Sequence, residues 1–315
     1  MSPDRPPELP CAKRPHVIAV IVSYWPDIVE FQRVLASVRE QVARVVVVDN
    51  GSGEVFLGAI AAMQWPELTL LALSSNKGIA AAQNTGIRYA SEQEGVSHIL
   101  LLDHDSLPQP GMVTSLMHAL ERLEVKGHRA AMVGPAYVDP RQGLLPVFVR
   151  VKGFSLSRVL APDFEDLARV DHLIASGSLI PVPVLREVGL MDESLFIDYV
   201  DVEWGLRARS RGYDSFGCYS AHMTHTLGDA PIRLLGRSYP ARTPLRHYYT
   251  FRNAVLLTRR SYIGLNWKVA NLLGLILKFV FYLSFSDSRF RHLEMMSLGV
   301  WHGLRKRSGP LPDTL

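Results

Sequence analysis

The sequence has little cysteine: Cys11 and Cys218 are the two in 315 residues, and they lie far apart, in no spacing typical of a metal or redox site. A disulfide framework is therefore not expected, and a reducing compartment is favoured. The sequence also lacks a Walker loop and the pattern G-x-G-x-x-G, so a nicotinamide-binding function loses its main support. Apolar residues make up 48 % and charged residues 20 % of the chain, a composition typical of a globular protein rather than a disordered one.

The N-terminal segment, residues 1–15, lacks the apolar core of a signal peptide and is rich in proline (MSPDRPPELPCAKRP). Such a segment predicts a disordered lead-in. We therefore expect a protein that stays in the cytoplasm.

A long apolar run does occur at residues 265–285, but Lys268, Asn271 and Lys278 interrupt it. A lysine near the centre of a membrane span is costly, so we do not expect this run to cross a membrane. Two alternatives stay open: a helical hairpin packed in the core, or an amphipathic surface for peripheral membrane contact. The basic residues that flank the run are Arg259, Arg260, Arg289 and Arg291.

Acidic residues are scarce in the C-terminal third of the chain. Residues 204–315 contain 17 Lys/Arg and 5 Asp/Glu, a net charge of +12, whereas residues 1–203 contain 17 and 25, a net charge of −8. The acidic part suits a divalent cation, and the basic part suits phosphates or an anionic lipid surface. Nucleic acid is disfavoured, because no recognisable nucleic-acid-binding motif accompanies the positive charge.

Apolar runs of strand length alternate with segments of helical spacing over the first 125 residues. The strand-like runs are HVIAVIVSYW, ARVVVVDNGS, LTLLALSSN and SHILLLDHDS. Strands that are almost continuously apolar and alternate with helices predict an α/β fold with a mostly parallel sheet between helices.

Polar residues follow three of these strands at the point where each strand ends: Asp49, Asn76, and the pair Asp103 and Asp105. Ligands of such sheets bind outside the carboxyl ends of the strands. Two carboxylates on a turn can share Mg²⁺, which uses one or two carboxylates together with substrate phosphates. A purely structural turn is the alternative, because Asp and Ser also favour turns and helix caps.

Two later segments offer further candidates. In FIDYVDVEW, Asp201 lies at the start of a basic helix, where it either complements the helix dipole or acts as a general base. In AHMTHTLGD, His222 and His225 either pack in the protein or complete the ligand set of a cation.

Together these segments resemble the inverting glycosyltransferases of family 2, which have the GT-A fold. The resemblance covers roughly residues 16–230 and rests on IVSY, VVVVDNGS, NKGIAAAQNTGI, LLLDHDS, ASGSLI and GLMDESLFIDYVDVEWGLRARSRGY. Within that family, FIDYVDVEW and the later YYTFRNAVLL are most similar to bacterial rhamnosyltransferases that use dTDP-L-rhamnose.

The resemblance implies a role for each matching residue. Asp201 would be the general base for the acceptor hydroxyl. Asp105 would ligate Mg²⁺ or Mn²⁺ at the diphosphate of the donor, and His225 would contact the metal or the diphosphate. The donor would be bound by Ser23 and Tyr24, by Asp49 at the nucleobase, by Asn76 and Gly78, and by Asp103 at the ribose or the metal. Arg252 is a further candidate for the diphosphate.

The sequence departs from the family pattern in two places. Val200 stands where the family has a Glu before the catalytic Asp, which leaves the acceptor contacts of that Glu without a counterpart. The Gln/Arg-x-x-Arg-Trp signature of processive synthases is absent, so transfer of a single sugar is expected.

We therefore expect a metal-dependent rhamnosyltransferase that acts on a cell-envelope glycan or glycolipid, such as lipopolysaccharide. A UDP-sugar donor such as UDP-galactofuranose, and a non-catalytic sugar- or lipid-binding relative, are the alternatives. A nucleotidyltransferase is a third, but the chain lacks the Gly-rich N-terminal loop that its chemistry usually needs.

The expected organisation is a GT-A catalytic domain at residues 16–230, followed by a helical basic region at 231–315. Residues 16–125 would bind the nucleotide sugar and residues 126–230 would provide the acceptor and catalytic half. Residues 228–244 are a candidate mobile lid.

Overall fold

A computed structural model describes residues 16–139, 148–159, 162–163, 165–225, 229–234, 237–286 and 288–312 of the chain. The predicted lead-in at residues 1–15 lies outside the described residues.

The N-terminal half alternates strands with helices, as predicted from its apolar runs. Its elements are β1 (Val17–Ser23), α1 (Ile28–Arg39), β2 (Arg44–Asp49), α2 (Glu54–Ala61), β3 (Leu68–Ala72), α3 (Ile79–Ser91) and β4 (His98–Asp103). β1 pairs in parallel with β2 and β4, and β2 pairs in parallel with β3. This half is therefore a parallel sheet.

The second half makes the sheet mixed, because several of its strands run against their neighbours. Its elements are β5 (Ser106–Pro108), α4 (Met112–Val125), β6 (Ala130–Val138), β7 (Phe148–Lys152), β8 (Ser155–Val159), β9 (Leu167–Val170), β10 (Leu179–Pro181), α5 (Val182–Val188), α6 (Val200–Ser210) and β11 (Asp214–His225). Strand β10 is antiparallel to β4 and β6, β11 is parallel to β6, and β5 and β9 are antiparallel to β11. Within the described residues, nine strands form one sheet in the order β3-β2-β1-β4-β10-β6-β11-β5, with β9 also on β11. The α/β fold is confirmed.

The central strands are apolar throughout because both faces of the sheet are covered. Alternate residues of β1 point to opposite faces: Ile18, Val20 and Val22 pack on one side, and Val17, Ala19 and Ile21 on the other. Helix α3 approaches the sheet so closely that a Cβ at Gly86 would lie 2.3 Å from Val20 Cγ1. The small residues of NKGIAAAQNTGI therefore serve close packing of a helix.

The C-terminal part adds the hairpin β12 (Asp229–Leu234) and β13 (Arg237–Ala241), and the helices α7 (Pro244–Thr258), α8 (Leu265–Phe285) and α9 (Arg289–Leu304). The candidate lid at residues 228–244 lies partly outside the described residues; the described backbone forms this hairpin. Helices α7 and α9 pack tightly, because a Cβ at Gly299 would lie 2.4 Å from Tyr248 O. The boundaries at residues 125 and 230 stay predictions.

Helix α8 is only partly covered by protein. Among the described residues, it is the one helix long and apolar enough to cross a membrane by length and composition, and 22 % of its most apolar stretch is buried. Its outer face carries Leu265, Leu272, Leu273, Ile276, Leu277 and Val280, each half-exposed or more. Lys268, Asn271 and Lys278 share helical spacing with the buried Leu275 and Tyr282. The residues that interrupt the apolar run therefore lie away from its outer face.

Candidate active site

Three parallel strands end at the same edge of the sheet and bring predicted site residues there. In the register of the sheet, Ser23 of β1 lies opposite Asp49 of β2, and Val22 of β1 lies opposite Asp103 of β4. The parallel pairing therefore gathers strand ends that are far apart in the sequence, at the edge where ligands of such sheets bind.

Asp103, Asp105 and His225 form a compact group at this edge. One ligand atom of each, two carboxylate oxygens and one imidazole nitrogen, lie within 4.8 Å of one another. His225 Nδ1 is 3.4 Å from Asp105 Oδ1 and 2.8 Å from Ser106 Oγ. Antiparallel pairing of β11 with β5 places His225 opposite Ser106, 119 positions earlier in the chain.

Ser176 supports this group from inside the protein and was missed as a site residue. Its hydroxyl accepts a hydrogen bond from the main-chain N–H of Asp103 (3.0 Å) and bonds to Ser106 Oγ (2.6 Å). Both serines are buried. The sequence signal was the segment ASGSLI, which no local pattern connects with LLLDHDS.

The pKa values of Asp103, Asp105 and His225 depend on one another. Burial raises the pKa of Asp103; His225 opposes the shift and Asp105 adds to it. Burial also acts to raise the pKa of Asp105. The hydrogen bond and the charge of His225 outweigh this effect of burial, so that the pKa of Asp105 lies below the usual value. Burial opposes protonation of His225, yet Asp105 and Asp103 keep its pKa above the usual value. His225 thus offsets part of the cost of burying two neighbouring carboxylates.

The donor set fits a divalent cation. Carboxylates are preferred ligands of Mg²⁺ and Mn²⁺, and neutral imidazole ligates transition-metal ions. Asp105 and His225, the two expected ligands, both belong to the group, and Asp103 lies beside them. The alternative histidine, His222, is exposed on β11 and does not belong to it.

Asp49 organises the turn after β2. Its carboxylate accepts hydrogen bonds from Ser23 Oγ (3.1 Å), Gly51 N (3.2 Å), Ser52 N (2.8 Å) and Ser52 Oγ. The residue is 1 % exposed. This differs from the expected direct contact of Asp49 with a nucleobase, because the turn already occupies both carboxylate oxygens. Ser23 is buried as well and serves the same turn.

Asn76 and Gly78 lie at the neighbouring strand end, where they join two turns. Asn76 Oδ1 accepts hydrogen bonds from Asn50 Nδ2 (3.0 Å) and from Gly78 N (2.9 Å). Gly78 precedes α3 with φ +85°, and a Cβ there would lie 2.5 Å from Phe196 O. Gly78 therefore lets the loop before α6 approach the N-terminus of α3.

Two aromatic side chains lie exposed after β1. Tyr24, an expected donor contact, is 45 % exposed, and its neighbour Trp25 is 68 % exposed. The main-chain N–H of Trp25 donates to Ser52 Oγ (2.8 Å), which ties it to the turn after β2. Trp25 was missed from the sequence, although an exposed indole beside a ligand edge suits stacking against a flat ring.

Asp201 lies in the first turn of α6. Burial raises its pKa and the charge of Asp198 adds to this, while main-chain hydrogen bonds, including that from Val202 N (2.8 Å), oppose it. The charge of Asp201 also raises the pKa of Asp103, so these two carboxylates lie close enough to interact. A carboxylate with a raised pKa beside a cation site is suited to accept a proton.

The loop that leads into α6 has a strained backbone. Phe196, Asp198 and Tyr199 have φ values of 63°, 64° and 65°, which cost energy in residues other than glycine. The side-chain amide of Asn253, fully buried on α7, donates to three main-chain oxygens of this loop. These acceptors are Leu195 (2.9 Å), Ile197 (2.8 Å) and Asp198 (2.9 Å). Asn253 therefore positions the loop before Asp201, a role the sequence did not reveal.

Arg252 holds the same loop from inside the protein. It is fully buried, and its Nη2 donates to Leu195 O (2.9 Å) while its Nε donates to Asn253 Oδ1 (3.0 Å). Its guanidinium also lies over the ring of Tyr249, 4.9 Å from the centroid. The expectation that Arg252 binds a diphosphate is not supported, because its donors are used inside the protein.

The chain is similar in sequence to several known proteins. Residues 20–146 match the family model described as Glycosyl transferase family 2. The dTDP-rhamnosyl transferase RfbF of Shigella flexneri is 28 % identical over 295 residues, which cover 93 % of this chain and 97 % of that protein. An N-acetylglucosaminyl-diphospho-decaprenol L-rhamnosyltransferase of Mycobacterium tuberculosis is 26 % identical over 244 residues, covering 68 % of this chain and 78 % of that protein.

Solved structures share the fold at low sequence identity. GalNAc-T7, crystallised with UDP, GalNAc and Mn²⁺, superposes with a TM-score of 0.60 at 15 % identity; the match covers 94 % of this chain and 57 % of that one. The mannosyltransferase PcManGT from Pyrobaculum calidifontis, in complex with GDP-Man and Mn²⁺, gives a TM-score of 0.52 at 16 % identity, covering 96 % and 78 %. The fold is therefore GT-A, as predicted.

The family-model match and the rhamnosyltransferase-named relatives agree with this fold and with the carboxylates at the strand ends. Residues 20–146 therefore resemble glycosyltransferase family 2, and the relatives named as rhamnosyltransferases indicate a hexosyltransferase.

Proposed function

We propose that this enzyme transfers a single L-rhamnose from dTDP-L-rhamnose to a hydroxyl group of a cell-envelope glycan or glycolipid. The observation that carries the proposal is the placement of Asp201 within electrostatic reach of Asp103, which forms one compact group with Asp105 and His225. The choice of donor is supported by the name of the relative RfbF, which matches this chain over 97 % of its own length.

Asp105 and His225, with Asp103 beside them, hold Mg²⁺ or Mn²⁺ in this proposal. Bound there, the ion supplies positive charge to the diphosphate of the leaving group. Ser106 fixes the imidazole through its 2.8 Å contact with His225 Nδ1, as outer partners of metal ligands generally do.

Asp201 is the proposed general base. It takes the proton of the acceptor hydroxyl while the hydroxyl oxygen forms a bond to the anomeric carbon. On the opposite face of the sugar, the bond from that carbon to the diphosphate oxygen breaks, and dTDP leaves with the bonding electrons. One displacement of this kind inverts the anomeric centre. The raised pKa of Asp201 makes it a better proton acceptor than an ordinary aspartate.

The donor is proposed to lie along the strand ends. Asn76 and Gly78, at the N-terminus of α3, are placed to meet the nucleotide sugar. Tyr24 and Trp25 are exposed where a nucleobase can stack. Asp49 shapes this edge through the turn that it organises.

The acceptor and the location are proposed from the relatives and from α8. One relative is named for a diphospho-decaprenol acceptor, which is a lipid. The exposed apolar face of α8 suits peripheral contact with a membrane. We therefore place the enzyme in the cytoplasm, at the inner face of the cytoplasmic membrane.

Calorimetric titration of the full chain with dTDP and with UDP, each with and without Mn²⁺, tests the proposal. Metal-dependent binding that favours dTDP is expected. A preference for UDP would replace the donor by a UDP-sugar and leave the reaction unchanged. Binding of neither nucleotide would contradict the proposed enzyme and favour a non-catalytic relative.

A further inference from the structure

A small cavity lies between β6, β7 and the segment that joins β9 to β10. Its volume is about 50 Å³. An apolar cavity of about 150 Å³ can hold a benzene ring, so this cavity is large enough for one edge of a six-membered ring and too small for the whole ring. Among the side chains that line it are Tyr137, Phe148, His172, Leu173 and Ser176.

The cavity borders the candidate cation site. The hydroxyl of Ser176 accepts a hydrogen bond from the main-chain N–H of Asp103 (3.0 Å). The ring of Tyr137 packs edge-to-face on the ring of His225, with centroids 6.1 Å apart. Burial and the charge of Asp201 raise the pKa of Tyr137, so the Tyr137 hydroxyl lies within electrostatic reach of the proposed base as well. The cavity is therefore close to both parts of the proposed active site.

Two polar side chains of the cavity have no hydrogen-bond partner. Nδ1 of His172 is buried and is unpaired among the described residues. The hydroxyl of Tyr137 is likewise unpaired in the part of the chain that the structure describes. Buried polar groups are nearly always hydrogen-bonded, and a few polar groups that converge in an apolar pocket are typical of a ligand site. The two unpaired groups therefore point to a ligand that hydrogen-bonds to both.

Both side chains are neutral near pH 7. Burial lowers the pKa of His172 to about 4, so its imidazole has one donor and one acceptor nitrogen. The raised pKa of Tyr137 keeps the proton on its hydroxyl. Neutral donors and acceptors suit hydroxyl groups, whereas a phosphate group favours guanidinium or ammonium groups.

The other walls of the cavity are apolar and firmly packed. Phe148 and Leu173 are 5 % and 6 % exposed. The ring of Phe148 packs edge-to-face on that of Tyr219, with centroids 5.0 Å apart, and it lies so close to β11 that a side chain at Gly217 would overlap it. One edge of a sugar ring presents hydroxyl groups beside C–H bonds, and it therefore matches two neutral polar groups among apolar walls.

The position of the cavity favours the sugar of the donor. That sugar is bonded directly to the diphosphate, which the proposed function places at Asp105 and His225. A cavity that borders the cation site is therefore within reach of the sugar ring. His172 packs against α6, the helix that carries Asp201, because a Cβ at Gly205 would lie 3.1 Å from His172 Cβ.

We propose that this cavity binds one edge of the donor sugar, and that the hydroxyl of Tyr137 and the imidazole of His172 are its hydrogen-bond partners. This inference rests on the proposed function, because it assigns the residues that recognise the sugar of the same donor. A sugar held in this way has its anomeric carbon between the diphosphate and Asp201.

Calorimetric titration of the full chain with dTDP and with dTDP-L-rhamnose, each with Mn²⁺, tests this proposal. We expect Tyr137→Phe and His172→Ala each to bind dTDP-L-rhamnose about three- to tenfold more weakly than the wild type, because each loses one hydrogen bond to the sugar. Their binding of dTDP should be nearly unchanged. Tyr89→Phe, which removes a hydroxyl that is paired with Thr69 Oγ1 (3.3 Å), is the matched control and is expected to bind both ligands like the wild type.

Comparison of the two ligands separates recognition of the sugar from a structural role, because a structural defect weakens the binding of both. Unchanged binding of dTDP-L-rhamnose by the two variants, or an equal loss of affinity for dTDP, would overturn the proposal and leave the proposed function intact. If the wild type binds no nucleotide, the proposed function fails and this inference fails with it. If the wild type binds UDP and not dTDP, the ligands become UDP and UDP-galactofuranose, and the same weakening by both variants is expected because the cavity contacts the sugar.

Discussion

The side-chain amide of Asn253 donates a hydrogen bond to the main-chain oxygen of Asp198 (2.9 Å), and so ties α7 to the strained loop before the proposed base. Asp198 has φ 64° and Tyr199 has φ 65°. Backbone conformations of this kind persist where the surroundings impose them, and they concentrate at functional sites. The C-terminal helices therefore help to build the proposed active site, although the group Asp103, Asp105 and His225 lies at the edge of the sheet.

Replacing this amide tests whether it positions the base. We expect Asn253→Ala to lower kcat strongly while dTDP binding stays nearly unchanged, because the loop loses the donor that holds three of its carbonyl groups. The unpaired carbonyls cost about 1–3 kcal/mol each if they stay buried, so urea unfolding is measured in parallel. Asn266→Ala, on the exposed surface of α8, is the matched control. If the folded variant is less stable but has an unchanged kcat, Asn253 has a purely structural role.

Removing the proposed base should affect the chemical step alone. Asp201→Asn is expected to lower turnover about 10²–10⁴-fold, with donor binding close to that of the wild type. Glu94→Gln, an exposed change of the same kind, is the control. Turnover near that of the wild type in Asp201→Asn would contradict the assignment.

The pH profile offers a second measurement on Asp201. The base acts in its ionised form, so turnover should fall as the pH falls through its pKa. Because burial raises that pKa, the acidic limb should lie above the pH of about 4 that is typical of an ordinary aspartate. An acidic limb at or below that pH would argue for a different base.

The two histidines of β11 provide a matched test of the metal group. His225→Ala should weaken Mn²⁺-dependent dTDP binding roughly tenfold or more, about 1.4 kcal/mol, because it removes one of three candidate ligands. His222→Ala, three residues earlier and exposed, should bind like the wild type. Equal effects of both changes, in either direction, would exclude His225 as a specific ligand.

Two glycine substitutions test the packing of α3 on the sheet. Gly86→Ala should destabilise the protein by about 1–3 kcal/mol, because its Cβ would lie 2.3 Å from Val20 Cγ1 and 2.9 Å from Val48 Cγ2. Gly58→Ala, on the exposed side of α2 with nothing within 4 Å, should instead stabilise it by about 0.5–1 kcal/mol. Chemical denaturation of both variants measures the difference, and a neutral Gly86→Ala would show that the helix can move away from the sheet.

His172 should make stability depend on pH. Burial lowers its pKa from 6.5 to about 4 in the folded protein, so the unfolded chain takes up the proton first. The contribution of neutral His172 to the free energy of unfolding is complete above about pH 6.5. It is lost progressively as the pH falls towards 4, because protonation then favours the unfolded chain. The urea midpoint of His172→Gln should therefore change less between pH 7.5 and 4.5 than that of the wild type or of the surface control His118→Gln. Parallel curves for all three proteins would exclude this contribution.

The sequence by itself determined the elements of the N-terminal half and the edge of the sheet at which we propose the chemistry occurs. A continuous apolar run such as that in ARVVVVDNGS is typical of a strand that is covered on both faces, and such runs predicted β1, β2 and β4. The helical spacing of the apolar residues between the runs predicted the helices. Ligand-binding residues at strand ends followed from the parallel direction of those strands. The sequence thus predicted that Asp103 and Asp105 follow a strand end, and the structure has Asp103 at the end of β4.

The tertiary structure decided which partners these residues meet. His225 joins Asp105 because β11 pairs with β5, a contact across 119 positions that no local pattern encodes. Asp49 turned out to be enclosed by its own turn, and Arg252 by the loop before α6, because side-chain direction and burial depend on packing between distant elements. The exposed face of α8 is likewise a property of the assembled fold: the apolar run was evident in the sequence, but only the surrounding helices settle which of its faces remains uncovered.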